Sequence, residues 1–267
     1  MSAARTLRAL PTVFRVGLAE AMAYRAELLV WILTTTMPLV MLPLWQAVAE
    51  TGPVRGYDAG RFTAYFLAAF VVRQLTAVWA AWSINQDIRT GALGLRLLRP
   101  IPPFVTYAVE SLSAMPLRLL VALPLALAAL ALTDGRWIAD DWRAWLLVLP
   151  ALAGAWLISF AANLAIGGVG LWSAQSIKLM DAWLAGYFVL SGYLVPIAVF
   201  PDALRAIPDY APFRYVLSFP VELLTRGLSF EEALPALAAQ WAWALGLLAL
   251  AAAIWSRGLV RHATVGG

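Results

Sequence analysis

Cysteine is absent from the 267 residues, histidine occurs once, at His262, and lysine once, at Lys178. Without cysteine there are no disulfides, thiolate nucleophiles or cysteine-ligated metals. With one histidine and one lysine so placed, paired-histidine metalloprotease spacing, a Ser/His pair inside an apolar segment and a phosphate-cradling glycine loop ending in Gly-Lys are all excluded. The chain has no means of hydrolysing ATP through such a loop. Charge is also scarce: 13% of residues are charged and 63% are apolar, with mean hydropathy +0.79, against about 25% charged and 45 to 50% apolar in a soluble domain. A soluble globular fold is therefore set aside. A helix crosses the hydrocarbon with about 20 residues, so this length holds about six crossings and leaves no room for a separate catalytic domain. The net charge of +4 fits basic loops beside anionic lipid rather than nucleic acid.

What is present is a set of apolar runs. Residues 1–27 place Leu7, Leu10, Phe14 and Leu18 at helical spacing among Arg5, Arg8, Arg15 and Arg25, which predicts a basic amphipathic helix lying on the membrane surface. A signal peptide is not expected, because the apolar run begins only near Leu28. Six hydrophobic segments follow, at about 28–49, 62–84, 104–132, 144–172, 179–200 and 235–256. The predicted fold is an all-α membrane protein, one domain over 1–267, with kinks expected at Pro116 and Pro124.

Placing both termini on one side puts ten basic residues there, Arg5, Arg8, Arg15, Arg25, Arg89, Arg96, Arg99, Lys178, Arg257 and Arg261, against seven opposite. That side is the expected cytoplasmic one. Trp31, Trp45, Trp79, Trp82, Trp137, Trp142, Trp145 and Trp172 fall mostly near segment ends, as an interfacial belt would place them. No duplication of three segments onto the other three is visible, which argues against an inverted-repeat secondary transporter.

A few residues break the apolar rule. Arg73 lies near the middle of the second segment, and Glu110 and Arg118 lie in the third. A charge at the bilayer centre costs about 2.5 to 3.5 kcal/mol on insertion scales, so such groups face a cavity or pair within a bundle. Glu110 is shallow enough to reach the interface. Arg118 pairs with a helix neighbour or meets substrate, and Arg73 lines a pathway or subunit interface, or is held in a structural pair. Along the fourth segment Ala151, Ala155, Ser159, Asn163 and Gly167 recur every fourth residue, giving one small-residue face suited to close packing within the bundle or to a subunit contact.

Two connections carry more information. Residues 85–103 combine Arg89, Arg96 and Arg99 with Ile88, Leu93, Leu95, Leu97 and Leu98 and stop at Pro100. This predicts a short amphipathic helix that lies on lipid or docks into the groove of a soluble partner. Residues 191–222 carry Gly192, Pro196, Pro201 and Pro212 through an otherwise apolar stretch, which predicts a broken, re-entrant helical hairpin on the outer side.

Together these stretches resemble the permease subunits of ABC transporters of the ABC-2 type. The coupling-loop pattern of that family is matched by Asp87-Ile-Arg-Thr-Gly91-Ala-Leu93 and by Leu97-Leu-Arg-Pro100, and its outer hairpin by Ser191-Gly192, Pro196, Pro201 to Leu204 and Pro212-Phe213. Members usually carry an acid at or beside the positions of Gln86 and Asp87; here only Asp87 is acidic.

The resemblance implies an exporter in a bacterial cytoplasmic membrane, built from a pair of permeases, identical or related, on a cytoplasmic ATPase dimer that binds the ATP and Mg. The chain itself would carry no cofactor and no catalytic site. It further implies ATPase coupling through Asp87, Ile88, Arg89, Gly91, Leu93, Leu97, Leu98, Arg99 and Pro100. Arg73, Glu110, Arg118, Asn163, Tyr187 and Tyr193 would lie near the route or the subunit interface, with an amphiphilic or lipid-like cargo. Two other readings remain open from the sequence: an accessory scaffold that does not itself transport, and a proton-driven carrier using Glu110.

Overall fold

The computed structural model describes residues 3–24, 30, 32–131, 138–173, 175–225 and 228–265. Trp31, Trp137, Arg25, Arg136 and Arg226, counted above, lie outside them, as do the side chains of Leu7, Arg5 and His262. The described residues form helices and turns, with one isolated bridge between Val54 and Tyr57.

The chain begins with α1 (Ala3–Ala23). Its Leu10, Phe14 and Leu18 are half-buried while Arg8 and Arg15 are exposed, the two faces expected of an amphipathic helix. After a helical turn ending at Thr35 and Thr36, α2 (Met37–Ala49) starts with Pro38 in its first turn, where a missing N–H costs nothing. A tight turn with positive φ at Arg55 and Gly56 leads to α3 (Ala59–Thr76), capped by Asp58 accepting from the Arg61 N–H. The same membrane span continues as α4 (Ala80–Thr90), then bends at Gly91, φ +77°, into α5 (Ala92–Leu97). The next span is α6 (Pro103–Ser113) and α7 (Met115–Ala131), interrupted at Ala114, two residues before Pro116.

The longest internal helix, α8 (Trp142–Val169), is capped by Asp141, whose carboxylate accepts from the Arg143 N–H. It makes the most extensive helix–helix contact of the chain, with the final helix α13 (Phe230–Val265). Glycines make that contact close: a Cβ on Gly154 would meet Gln240 at 2.7 Å, and one on Gly168 would meet Trp255 at 2.9 Å. Gly167 meets Ile84 of α4 in the same way. Ala151, Ala155, Ser159, Asn163 and Gly167 are all buried, so the small-residue face of α8 is used inside the bundle.

Five helical stretches among the described residues are long and apolar enough to cross a membrane: Ile32–Ala49, Ala59–Thr90, Pro103–Leu127, Trp142–Val169 and Phe230–Arg261. They match five of the six expected segments. At 179–200 the chain instead forms α9 (Lys178–Leu190), a 13-residue helix of about 20 Å, against about 30 Å of hydrocarbon. It ends because Gly192 takes φ +85° and Pro196 follows. From there short pieces run through a 3₁₀ turn at Ile197–Val199, α10 (Asp202–Arg205), a second 3₁₀ turn at Ile207–Tyr210, α11 (Pro212–Val216) and α12 (Ser218–Leu224). The excursion doubles back, since the Ser218 N–H donates to the Ser191 carbonyl at 3.0 Å.

Two apolar clusters make the interior. One gathers Phe62, Tyr65, Phe66, Val216, Leu217 and Phe219 around the returning pieces. The other gathers Ile84, Leu93, Tyr107, Leu164 and Trp255 around α4 and α5. Leu120, Leu127, Leu146, Leu149, Leu245 and Leu250 are exposed on the spans, as lipid-facing residues are in such a bundle.

Candidate functional site at a junction of interrupted helices

Residues 61–90 contain neither proline nor glycine inside the helical pattern, yet the span breaks after Thr76. Ala77 is extended, with φ −67° and ψ 122°, and helix resumes at Ala80. A break at membrane depth must find partners for the freed backbone groups, and two side chains from other helices supply them. Arg118 of α7 donates to the Ala77 carbonyl at 2.8 Å, and the Asn163 side chain of α8 accepts from the Ala81 N–H at 3.1 Å. Asn163 also donates to the Ser159 carbonyl. Thr76 donates to the Val72 carbonyl one turn back, a bond that bends helices.

A second interruption lies next to the first. The turn at Thr35 and Thr36 is held by Gln74, whose amide donates to the Thr35 hydroxyl at 2.8 Å, and by the Tyr193 hydroxyl, which donates to the Thr35 carbonyl at 3.1 Å. The end of α9 belongs to the same junction: the Tyr65 hydroxyl donates to the Gly192 carbonyl at 2.9 Å. A side chain at Gly192 would run into that hydroxyl, and its φ disfavours one in any case.

Arg73 stands in the middle, with 9% of its surface exposed. Its guanidinium lies 4.7 Å from the centre of the Tyr187 ring, 5.8 Å from Trp79 and 6.0 Å from Tyr193. These are cation–π distances, and they replace the carboxylate expected for a buried arginine. Five of the six residues expected near a route, Arg73, Arg118, Asn163, Tyr187 and Tyr193, thus meet at one junction. Thr35 and Gln74, not among the expected residues, belong to the same junction. Trp79 and Trp82, expected in an interfacial belt, line two pockets, an open one of about 460 Å³ shared with Glu20, Glu110 and Arg118, and a smaller one of about 20 Å³ shared with Arg73.

Glu110, the sixth, takes another role. Arg96 of α5 reaches its carboxylate at 2.6 Å and that of Asp87 at 2.7 Å. Tyr107 completes the knot: its hydroxyl donates to Asp87 at 2.6 Å, and its ring lies 4.6 Å under the Arg96 guanidinium. Burial pulls Arg96 down, but the hydrogen bond and charge of Glu110, with Asp87 behind them, outweigh it and hold the guanidinium above its ordinary value. The α4–α5 bend is thereby fastened to α6.

Among the expected coupling residues, Arg89, Gly91, Leu97, Leu98, Arg99 and Pro100 are exposed, Leu98 by 83%. Asp87 and Ile88 are half-buried, and Leu93 is fully buried at 0% in the cluster with Ile84, Tyr107 and Trp255. Leu93 is therefore corrected from a docking residue to a core residue: the helix pattern is amphipathic, but its apolar face at Leu93 points into the chain. Leu95, 66% exposed, takes its place on the surface. In the returning segment, Pro196, Pro201 and Pro212 start successive short helical pieces. Glu222, buried there, is bound by Ser218 at 2.7 Å and Arg214 at 3.0 Å. Arg214 also pairs with Asp209, and exposed Asp202 with Arg55. The Arg55 hydrogen bond holds the Asp202 carboxyl below its ordinary value.

An all-helical chain with several lipid-length apolar helices and a polar junction buried among them is a multi-pass membrane protein. The model of the family described as ABC-2 family transporter protein matches residues 29–266, and the chain belongs to that family. It is accordingly of the membrane-subunit class of ABC transporters, a transport component that is generally not itself catalytic and generally works with an ABC ATPase. Comparison with curated proteins finds no match.

Proposed function

We propose that the chain is the permease subunit of an ATP-driven exporter of the bacterial cytoplasmic membrane. Both termini and the α4–α5 bend face the cytoplasm, and a second permease and an ATPase dimer complete the assembly. One observation carries this reading: a surface of exposed Leu95, Leu97, Leu98 and Arg99 sits on a bend braced by Asp87, Arg96, Glu110 and Tyr107, at the end of the helix that starts at the break. Between the two, α4 is an uninterrupted helix of 11 residues, about 16 Å long. A displacement of the braced bend by an ATPase is delivered through α4 to the junction of Arg73, Arg118 and Asn163. The nucleotide drives this only through ATPase states that bind the bend with different affinity.

In the same reading the segment 191–222 is a re-entrant hairpin on the outer side, and α9 together with it supplies the sixth membrane element. The substrate is amphiphilic or lipid-like, and alternating access at the junction moves it outward. The test is reconstitution in vesicles with the ATPase and any permease encoded beside it. Transport should require ATP, survive an uncoupler and be lost in Leu98→Asp. Transport without ATP that collapses with the uncoupler identifies a proton-driven carrier instead. Unimpaired transport in Arg73→Ala, with loss in Leu98→Asp, identifies an accessory scaffold.

A further inference from the structure

Arg73 and Arg118 are each only 9% exposed, and neither forms an ion pair with a carboxylate among the described residues. Arg118 is satisfied by the Ala77 carbonyl at the end of α3, where a helix presents partial negative charge. Arg73 has no such acceptor: its Nε is buried without a hydrogen-bond partner, and the Tyr187 hydroxyl, buried without a well-formed hydrogen bond, lies beside the Arg73 guanidinium and Ser191. Both residues line the cavity of about 20 Å³ together with Trp79, Ser159 and Asn163. The N-terminus of the 11-residue α4 opens beside it through Val78 and Trp79, and such an end favours negative charge.

We propose that this cavity binds one small monovalent anion of chloride size, held by the Arg73 guanidinium, the Tyr187 hydroxyl and the N-terminal end of α4. The volume decides the class of ligand. One water-sized sphere needs about 10 to 15 Å³, so the space takes a single monatomic anion and is too small for a phosphate or a headgroup. Charge decides against water: a water molecule satisfies the Arg73 N–H but leaves two buried positive charges facing each other across the break. The anion neutralises one of them and fixes the break, while Trp79 and Trp82 line both this cavity and the larger pocket that Arg118 lines.

The test uses the full chain purified in neutral detergent and exchanged into sodium gluconate. Sodium chloride, bromide, gluconate and phosphate are then titrated at constant ionic strength while thermal unfolding is followed. Chloride at about ten times its dissociation constant multiplies the folded-to-unfolded ratio about eleven-fold, a shift of roughly 3 to 6 °C for a chain of this length. The shift saturates, is shared by bromide, falls in Tyr187→Phe, disappears in Arg73→Gln and persists in Arg15→Gln. Broadening of the ³⁵Cl resonance by the wild-type chain, reversed by bromide, gives the same answer without a variant. Equal melting in chloride and gluconate with no excess broadening overturns the proposal in favour of water. A larger shift with phosphate than with chloride overturns it in favour of a polyatomic anion.

Discussion

Replacing Arg96 by methionine tests the bracing of the α4–α5 bend. The arginine holds Asp87 at 2.7 Å and Glu110 at 2.6 Å, with the three side chains between 15% and 34% exposed. Breaking a fully buried pair costs about 3 to 5 kcal/mol, while an exposed pair is worth at most about 1 kcal/mol. Partial exposure places Arg96→Met at about 2 kcal/mol, and most of that comes from two carboxylates left facing one another. A chain of this size loses about 2 to 4 °C of melting temperature per kcal/mol, so the expected drop is about 4 to 8 °C. If the carboxylates are the cause, Asp87→Asn and Glu110→Gln added to Arg96→Met recover at least half of it, because apolar or neutral replacement of a whole network is far less costly than truncation of one member. Thermal unfolding of the single, double and triple variants in detergent measures this cycle. A drop below about 1 °C in Arg96→Met, or a triple variant no more stable than the single, refutes the reasoning.

Other consequences follow from the junction and its surroundings. Asn163→Ala leaves the Ala81 N–H without its acceptor, a loss of about 1 to 3 kcal/mol visible as faster amide exchange at Ala81 together with a lower melting temperature. Tyr65→Phe removes the donor to the Gly192 carbonyl and lowers stability by about 1 kcal/mol, with little change elsewhere, which thermal unfolding resolves. Gly167→Val drives a side chain into Ile84, 2.9 Å from the added Cβ, and lowers the yield of folded chain, whereas the same change at open Gly246 does not. Asp202 is held below its ordinary pKa by Arg55, so its contribution is present above the unfolded value near 3.8 and is lost as pH falls through the lower folded value. The melting temperatures of the wild type and Asp202→Asn therefore differ at pH 7 and converge below pH 4.

Much of the architecture was legible because lipid imposes one rule on long helices. Five apolar runs were read close to their limits, and the amphipathic faces of α1 followed from spacing alone. Within residues 85–103 the inward and outward side chains do not separate in the sequence: a six-residue helix such as α5 has too few positions for periodicity to tell buried Leu93 from exposed Leu95. The run at 179–200 exceeds its helix because apolar composition continues through Gly192 and Pro196 after the helical hydrogen bonds stop. Arg73, Arg118 and Asn163 stood out singly as polar residues in apolar segments. Their meeting place did not, since the break at Ala77 carries no proline or glycine and depends on acceptors and donors from α7 and α8. At the other interruption, Thr35, Thr36 and Pro38 form a local signal that spacing analysis passed over. Nothing in the sequence around Trp79 and Trp82 marks them as flanking a break in the span.

The chain has no cysteine, so a single cysteine at Leu98 gives one unique point of attachment. Leu98→Cys, expressed with the ATPase encoded beside it and treated with a short thiol-to-amine crosslinker in membranes, should capture the ATPase in a yield that changes when ATP is added. A cysteine at Leu146, also exposed, on α8 but among the lipid-facing residues, should capture none. Capture at neither position, or at both alike and regardless of ATP, would contradict the assignment of the α4–α5 bend as the ATPase-driven lever of this permease.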